Sequence, residues 1–109
     1  MEEIEISWDN TKVKVKIDKL NFGDRNDAYR KAMKVTMLGN QPKADLDIYS
    51  LQEFFVLKGL KEAPFSINID NIRKLDVPDA EKMYSIISRL TGITESEKGF
   101  LPISPEVSQ

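Results

Sequence analysis

The chain contains no cysteine and no histidine. Without cysteine there is no disulfide, no thiolate nucleophile and no thiolate metal ligand. A chain free of disulfides fits a reducing compartment, so the cytoplasm is the expected location. Without histidine, the one side chain that titrates unperturbed near neutrality is missing. A serine nucleophile would then need an unusual lysine base. Long apolar runs are also missing: no stretch reaches the roughly 18 residues a membrane span requires. The opening Met1-Glu2-Glu3-Ile4-Glu5 is acidic, whereas a signal peptide begins basic and turns apolar. Net charge is only −2, which supplies no global field toward nucleic acid or an anionic membrane. Gly23, Gly39 and Gly59 stand without a Gly-x-Gly partner, so there is no phosphate-cradling loop.

What is present is the material of one small domain. At 109 residues there is room for a single core. Apolar residues at 40% and charged residues at 31% give an ordinary globular balance, not a disordered one. The expected organisation is one domain over residues 1–92 and a flexible C-terminal tail over 93–109, where Thr94 to Gly99 and the Pro102/Pro105 region carry no periodicity.

The N-terminus carries the clearest pattern. Ile4, Ile6 and Trp8 alternate with polar residues, and so do Val13, Val15 and Ile17. A two-residue turn at Asp9-Asn10 pairs Trp8 with Thr11, Ile6 with Val13, and Ile4 with Val15. The same register sets Glu5 against Lys14 and Glu3 against Lys16 on the opposite face. One register thus segregates the apolar side chains and pairs opposite charges, and a one-residue slip destroys both patterns. This predicts a β-hairpin.

The rest reads as helices. Asp24 is the expected cap of a first helix in which Ala28, Tyr29, Ala32, Met33 and Thr36 keep helical spacing. That helix is expected to run to about Leu38 and stop at Gly39-Asn40-Gln41-Pro42; the alternative makes Val35-Thr36-Met37 a short strand. A second helix is expected from Asp47 to about Lys61, ended by Ala63-Pro64-Phe65. A short helix follows over Ile69–Leu75, with Asn68 or Asp70 as cap. The last starts with Asp76 as cap and Pro78 in its first turn, and ends at Gly92 as the residue after the C-cap. The fold class is therefore α+β: an N-terminal hairpin packed on three to four helices, mostly helical.

Few residues suggest chemistry. The carboxylates at Asp45/Asp47 and Asp76/Asp79/Glu81 are of the kind that hold a divalent cation or act as acid and base. Both clusters fall at expected helix N-termini, where capping and dipole compensation explain them. No metal, no cofactor and no catalytic constellation is expected, so the chain is not read as an enzyme. Lys12, Lys14 and Lys16 form a basic stripe that suits a small nucleic-acid-binding regulator. The hairpin register sets Glu5 and Glu3 against two of them, and no aromatic interleaves to stack bases, so a solvated face explains the stripe better.

One feature exceeds what a surface helix needs. Residues 48–60 carry Ile48, Leu51, Phe54, Phe55, Val56, Leu57 and Leu60, more apolar surface than one stripe. Two readings fit: a central helix buried on all sides, or a docking surface of Leu51, Phe54, Phe55, Leu57 and Leu60, extended by Met83, Ile86 and Leu90. Gly59 permits close helix approach under either.

Three segments in order resemble the tail-assembly chaperones of long-tailed phages and prophages. They are Lys19-Leu20-Asn21-Phe22-Gly23-Asp24-Arg25-Asn26-Asp27-Ala28; Leu57-Lys58-Gly59-Leu60-Lys61-Glu62-Ala63-Pro64-Phe65; and Asn71-Ile72-Arg73-Lys74-Leu75 with the later Leu90-Thr91-Gly92. The resemblance spans about residues 10–92. It implies a small, mostly helical, self-associating protein that coats apolar helical stretches of the tail tape-measure protein until the tail tube polymerises around it. It also implies no catalytic residue. A longer frameshifted product, common in that family, would place its junction in 93–109.

Overall fold

In the computed structural model, which describes residues 1–92, the chain begins with strands β1 (Glu2–Trp8) and β2 (Thr11–Ile17). Asp9 and Asn10 join them, both left-handed at φ 52° and 61°. Positive φ at both central residues is the type I′ turn, whose twist matches the flanking strands. Asp and Asn are the side chains that best tolerate that conformation. The pairing is the expected one, from Trp8↔Thr11 through Ile6↔Val13 to Glu3↔Lys16. Ile6, Val15 and Ile17 are buried on the inner face.

Helix α1 covers Phe22–Ala32. Its cap is Asn21, whose side chain accepts the Asp24 N–H, so Asp24 lies in the first turn and not at the cap. The helix does not reach Leu38. Met33–Leu38 is strand β3 and Gln41–Leu46 is strand β4, paired antiparallel as a second hairpin. The alternative of a strand over Val35-Thr36-Met37 is the correct one. Gly39 and Asn40 form its two-residue turn. Gly39 is left-handed at φ 65° and Asn40 is not, the type II′ pattern with glycine first. The breaker cluster therefore turns the chain between strands and does not end a helix.

Helix α2 (Ile48–Gly59) begins at Asp47, whose carboxylate accepts the Tyr49 and Ser50 N–H groups at 3.0 and 3.3 Å. It ends two residues before the expected Lys61. Leu60–Glu62 forms β5, which pairs with β2 through Ile17↔Leu60 and Lys16↔Glu62 and gives the sheet order β1-β2-β5. Pro64 therefore does not end the helix. Beyond it, Phe65 folds back to stack on Trp8, with ring centroids 4.0 Å apart.

Helix α3 is a single turn, Ile69–Ile72, shorter than the expected reach to Leu75 and capped by Asn68. Helix α4 (Val77–Thr91) has Pro in its first turn and Gly92 at φ 88° just past its end. Asp76 occupies the N-cap position without making a side-chain cap bond. Asp79 instead reaches across to β1 and accepts the Ser7 N–H at 2.9 Å. At the other end of α4, Arg89 pairs with Glu2, and the Thr91 hydroxyl accepts the Leu20 N–H at 2.9 Å. Helix α4 is thus clipped to the first sheet at both ends.

The core lies between α1, α2, α4 and the inner face of the three-stranded sheet. Phe55 is central: its ring meets Tyr29 edge-on at 6.0 Å and Tyr84 at 5.5 Å. Gly59 lets α2 approach α4, since a Cβ there would sit 2.4 Å from Ile87 Cδ1. The fold is α+β, as expected, with a second hairpin and a third sheet strand in addition. No helix among the described residues is long and apolar enough to cross a membrane. The expected tail, 93–109, lies outside the described residues.

Candidate interaction surface

Along β3, Met33, Val35 and Met37 alternate with Lys34, Thr36 and Leu38, so the two sets point to opposite faces. The register with β4 extends the division. Met33 faces Leu46, Val35 faces Ala44 and Met37 faces Pro42, all apolar. Lys34 faces Asp45, Thr36 faces Lys43 and Leu38 faces Gln41 on the other side. An antiparallel sheet with one apolar face normally lays that face on a core. Among the described residues nothing covers it. Val35 is 67% exposed and Met37 62%, and Leu46 alone on the two strands is half-buried. The two strands form a sheet by themselves. An isolated two-stranded sheet is marginal in water, so its base is the part that holds it in place.

That base is built by Asp47. Its N–H donates to the Ala32 carbonyl at 2.9 Å, closing the end of β4 onto the end of α1. Its carboxylate lies 2.8 Å from the Lys34 ammonium and also accepts the Ser50 hydroxyl at 3.0 Å. The Lys34 hydrogen bond, with those from Ser50, holds the Asp47 carboxyl at about 2, below its ordinary 3.8. A carboxyl lowered on folding stabilises the structure fully above its ordinary value and loses that contribution as pH falls toward the folded value. Protection of the amides at the hairpin base, taken relative to their intrinsic exchange rate at each pH, is therefore expected to fall between about pH 4 and pH 2, followed by hydrogen-exchange mass spectrometry. Asp47→Asn keeps the cap and removes the charge. It is expected to exchange faster at neutral pH and to show a much flatter acid response.

The residues singled out in the sequence divide in two. Leu51, Phe55, Leu60 and Met83 are at most 3% exposed and belong to the core. They are not on the protein surface, so the apolar excess of α2 goes mainly into packing. Phe54, Leu57 and Ile86 are half-buried against that core, and Leu90 is half-buried near the end of α4. Phe22, Tyr49 and Val77 are exposed elsewhere, whereas four of the exposed large apolar side chains, Met33, Val35, Met37 and Leu38, lie together on β3, which the helical reading of residues 24–38 concealed. The signal for it was period-two spacing at Met33, Val35, Met37 and again at Pro42, Ala44, Leu46, with Gly39-Asn40 between.

The basic stripe on β2 is partly neutralised. Lys16 lies 3.2 Å from Glu62 of β5, and Glu5 stands opposite Lys14 in the register. A groove of about 360 Å³ runs between α2, α3 and the start of α4, flanked by exposed Tyr49 and Val77 and bridged by Arg73 and Glu53 at 3.7 Å. No family model, no curated protein and no solved structure matches the chain.

Proposed function

We propose that the chain is a non-enzymatic assembly chaperone, acting in the cytoplasm, that shields apolar segments of a partner protein until they are assembled. The observation that carries this reading is the uncovered apolar face of β3–β4. A contiguous apolar face without cover serves docking or invites aggregation. Methionines at 33 and 37 suit docking, because a flexible, polarisable side chain adapts to varied apolar partners. The similarity of three segments to tail-assembly chaperones supplies the class of client: the tape-measure protein of a long-tailed phage or prophage. The docking surface is the hairpin and not α2, whose Leu51 and Phe55 are committed to the core.

The full chain, folded and monodisperse, is expected to co-purify with the tape-measure protein encoded beside it and to keep that protein soluble. Val35→Asp with Met37→Asp places two charges on the apolar face and touches no core contact. Losing burial of two such side chains is expected to weaken binding roughly a hundredfold at an unchanged circular dichroism spectrum. Failure of the folded wild-type chain to hold any tape-measure segment would overturn the proposal.

A further inference from the structure

The second sheet has two edges, and they are not alike. Its two-residue turn makes Leu38↔Gln41 a hydrogen-bonded pair. Alternation from there makes Met37↔Pro42, Val35↔Ala44 and Met33↔Leu46 the non-bonded pairs, whose N–H and C=O groups point away from the hairpin. The first hairpin obeys the same rule: Ser7, next to the bonded Trp8↔Thr11 pair, sends its N–H outward to Asp79. On β4 the outward row includes Pro42, which has no N–H to offer. Proline on an outward row blunts an edge against strand addition. On β3 the outward row is Met33, Val35 and Met37. The Met33 N–H caps α1 by donating to the Tyr29 and Arg30 carbonyls. Val35 and Met37 carry exposed side chains and an unblunted edge.

We propose that β3 pairs antiparallel with β3 of a second copy of this chain, about a two-fold axis at Val35, to make a four-stranded sheet. Val35 then opposes Val35 of the second copy, and Met33 opposes Met37 of the second copy. In this register the Val35 N–H and C=O meet those of the second copy and the Met37 N–H meets the Met33 carbonyl, the Met33 N–H staying on α1. Met33, Val35 and Met37 of both copies stay on one face. Lys34 opposes Thr36 of the second copy, so no like charges face each other. Centring on Lys34 would oppose two ammonium groups, and centring on Thr36 would set Lys34 against Leu38. Both of those registers are poorer. Self-association uses the edge of β3, whereas client binding uses its face, so the two proposals fail separately. The dimer joins two apolar faces into one wider platform. A single short strand from each copy is a small interface, so the dimer is expected to depend on concentration.

Sedimentation of the full chain from low-micromolar to millimolar concentration tests this without any client. A monomer–dimer equilibrium is expected. Val35→Pro removes the central outward N–H, as Pro42 already does on the opposite edge, and is expected to leave a folded monomer at every concentration. Ala44→Pro makes the same change on β4 and is expected to leave the dimer intact. The chain has no cysteine, so Val35→Cys adds a single thiol at the axis. Opposed residues about 5.5 Å apart at Cα fall within disulfide range, so this variant is expected to oxidise to a covalent dimer while Thr36→Cys does not. A wild-type monomer throughout, dissociation by Ala44→Pro but not Val35→Pro, or cross-linking at position 36 in place of 35 would each overturn the proposal. Protection of the β3 amides from exchange only on addition of client, in a wild-type chain that never dimerises, would assign the edge to an extended client strand instead.

Discussion

Phe55→Ala is expected to lower the unfolding free energy by about 3–5 kcal/mol, read from the midpoint of a urea titration at unchanged slope. Phe55 is 1% exposed and stands in the middle of α2, with Tyr29 of α1 on one side and Tyr84 of α4 on the other. Truncation removes both ring contacts and leaves a void that three elements must collapse to fill. A domain of this size has only about 5–15 kcal/mol to lose. The variant should therefore lie near the limit of folding at physiological temperature. Phe54→Ala is the informative contrast. Phe54 is half-buried and carries Lys31 over its ring at 5.8 Å from the centroid. Much of that ring already meets solvent, so its loss is expected to cost on the order of 1 kcal/mol. Equal costs at the two neighbouring positions would mean that α2 is not oriented as described.

That contrast marks what the sequence could convey about α2. Its apolar surplus was legible; its destination was not, because a helix apolar on all sides reads the same whether covered by its own chain or by a partner. The first hairpin was legible in full because its register satisfies two independent conditions at once, segregation of Ile4, Ile6, Val13 and Val15 and opposition of Glu5 to Lys14. The second hairpin was hidden by an overlap of periods. Ala28, Tyr29, Ala32, Met33 and Thr36 fit a helix, and Met33, Val35 and Met37 fit a strand. What decides between them is pairing with Gln41–Leu46, which no window centred on α1 contains. The branched Val35 and Thr36 favour the strand, and Gly39-Asn40 supplies its turn. The end of α2 was misplaced for the same reason. Leu60 is apolar and suits either state, and only the open edge of β2 draws it out of the helix.

The junction of α2 and β5 also governs how the helices close on each other. The Gly59 carbonyl accepts the Asp18 N–H at 2.9 Å, tying the end of α2 to the segment after β2. The same residue faces Ile87 of α4 with no room for a side chain: Cδ1, Cγ1 and Cγ2 of Ile87 would stand 2.4, 2.7 and 2.9 Å from a Cβ. Both branches of the isoleucine are involved, so no single rotation clears the space. Gly59→Val is therefore expected to cost about 3 kcal/mol, the upper end of the overpacking range. The usual gain from removing a helical glycine is about 1 kcal/mol for alanine and less for valine, too small to offset that clash. Ile87→Ala alone should cost about 2–5 kcal/mol, because Ile87 is fully buried. Combined, the valine methyls enter the volume the isoleucine vacates, and the double variant should be more stable than the sum of the two losses by about 1–3 kcal/mol. Strict additivity in the denaturation cycle would show that the α2–α4 approach is not set by this pair.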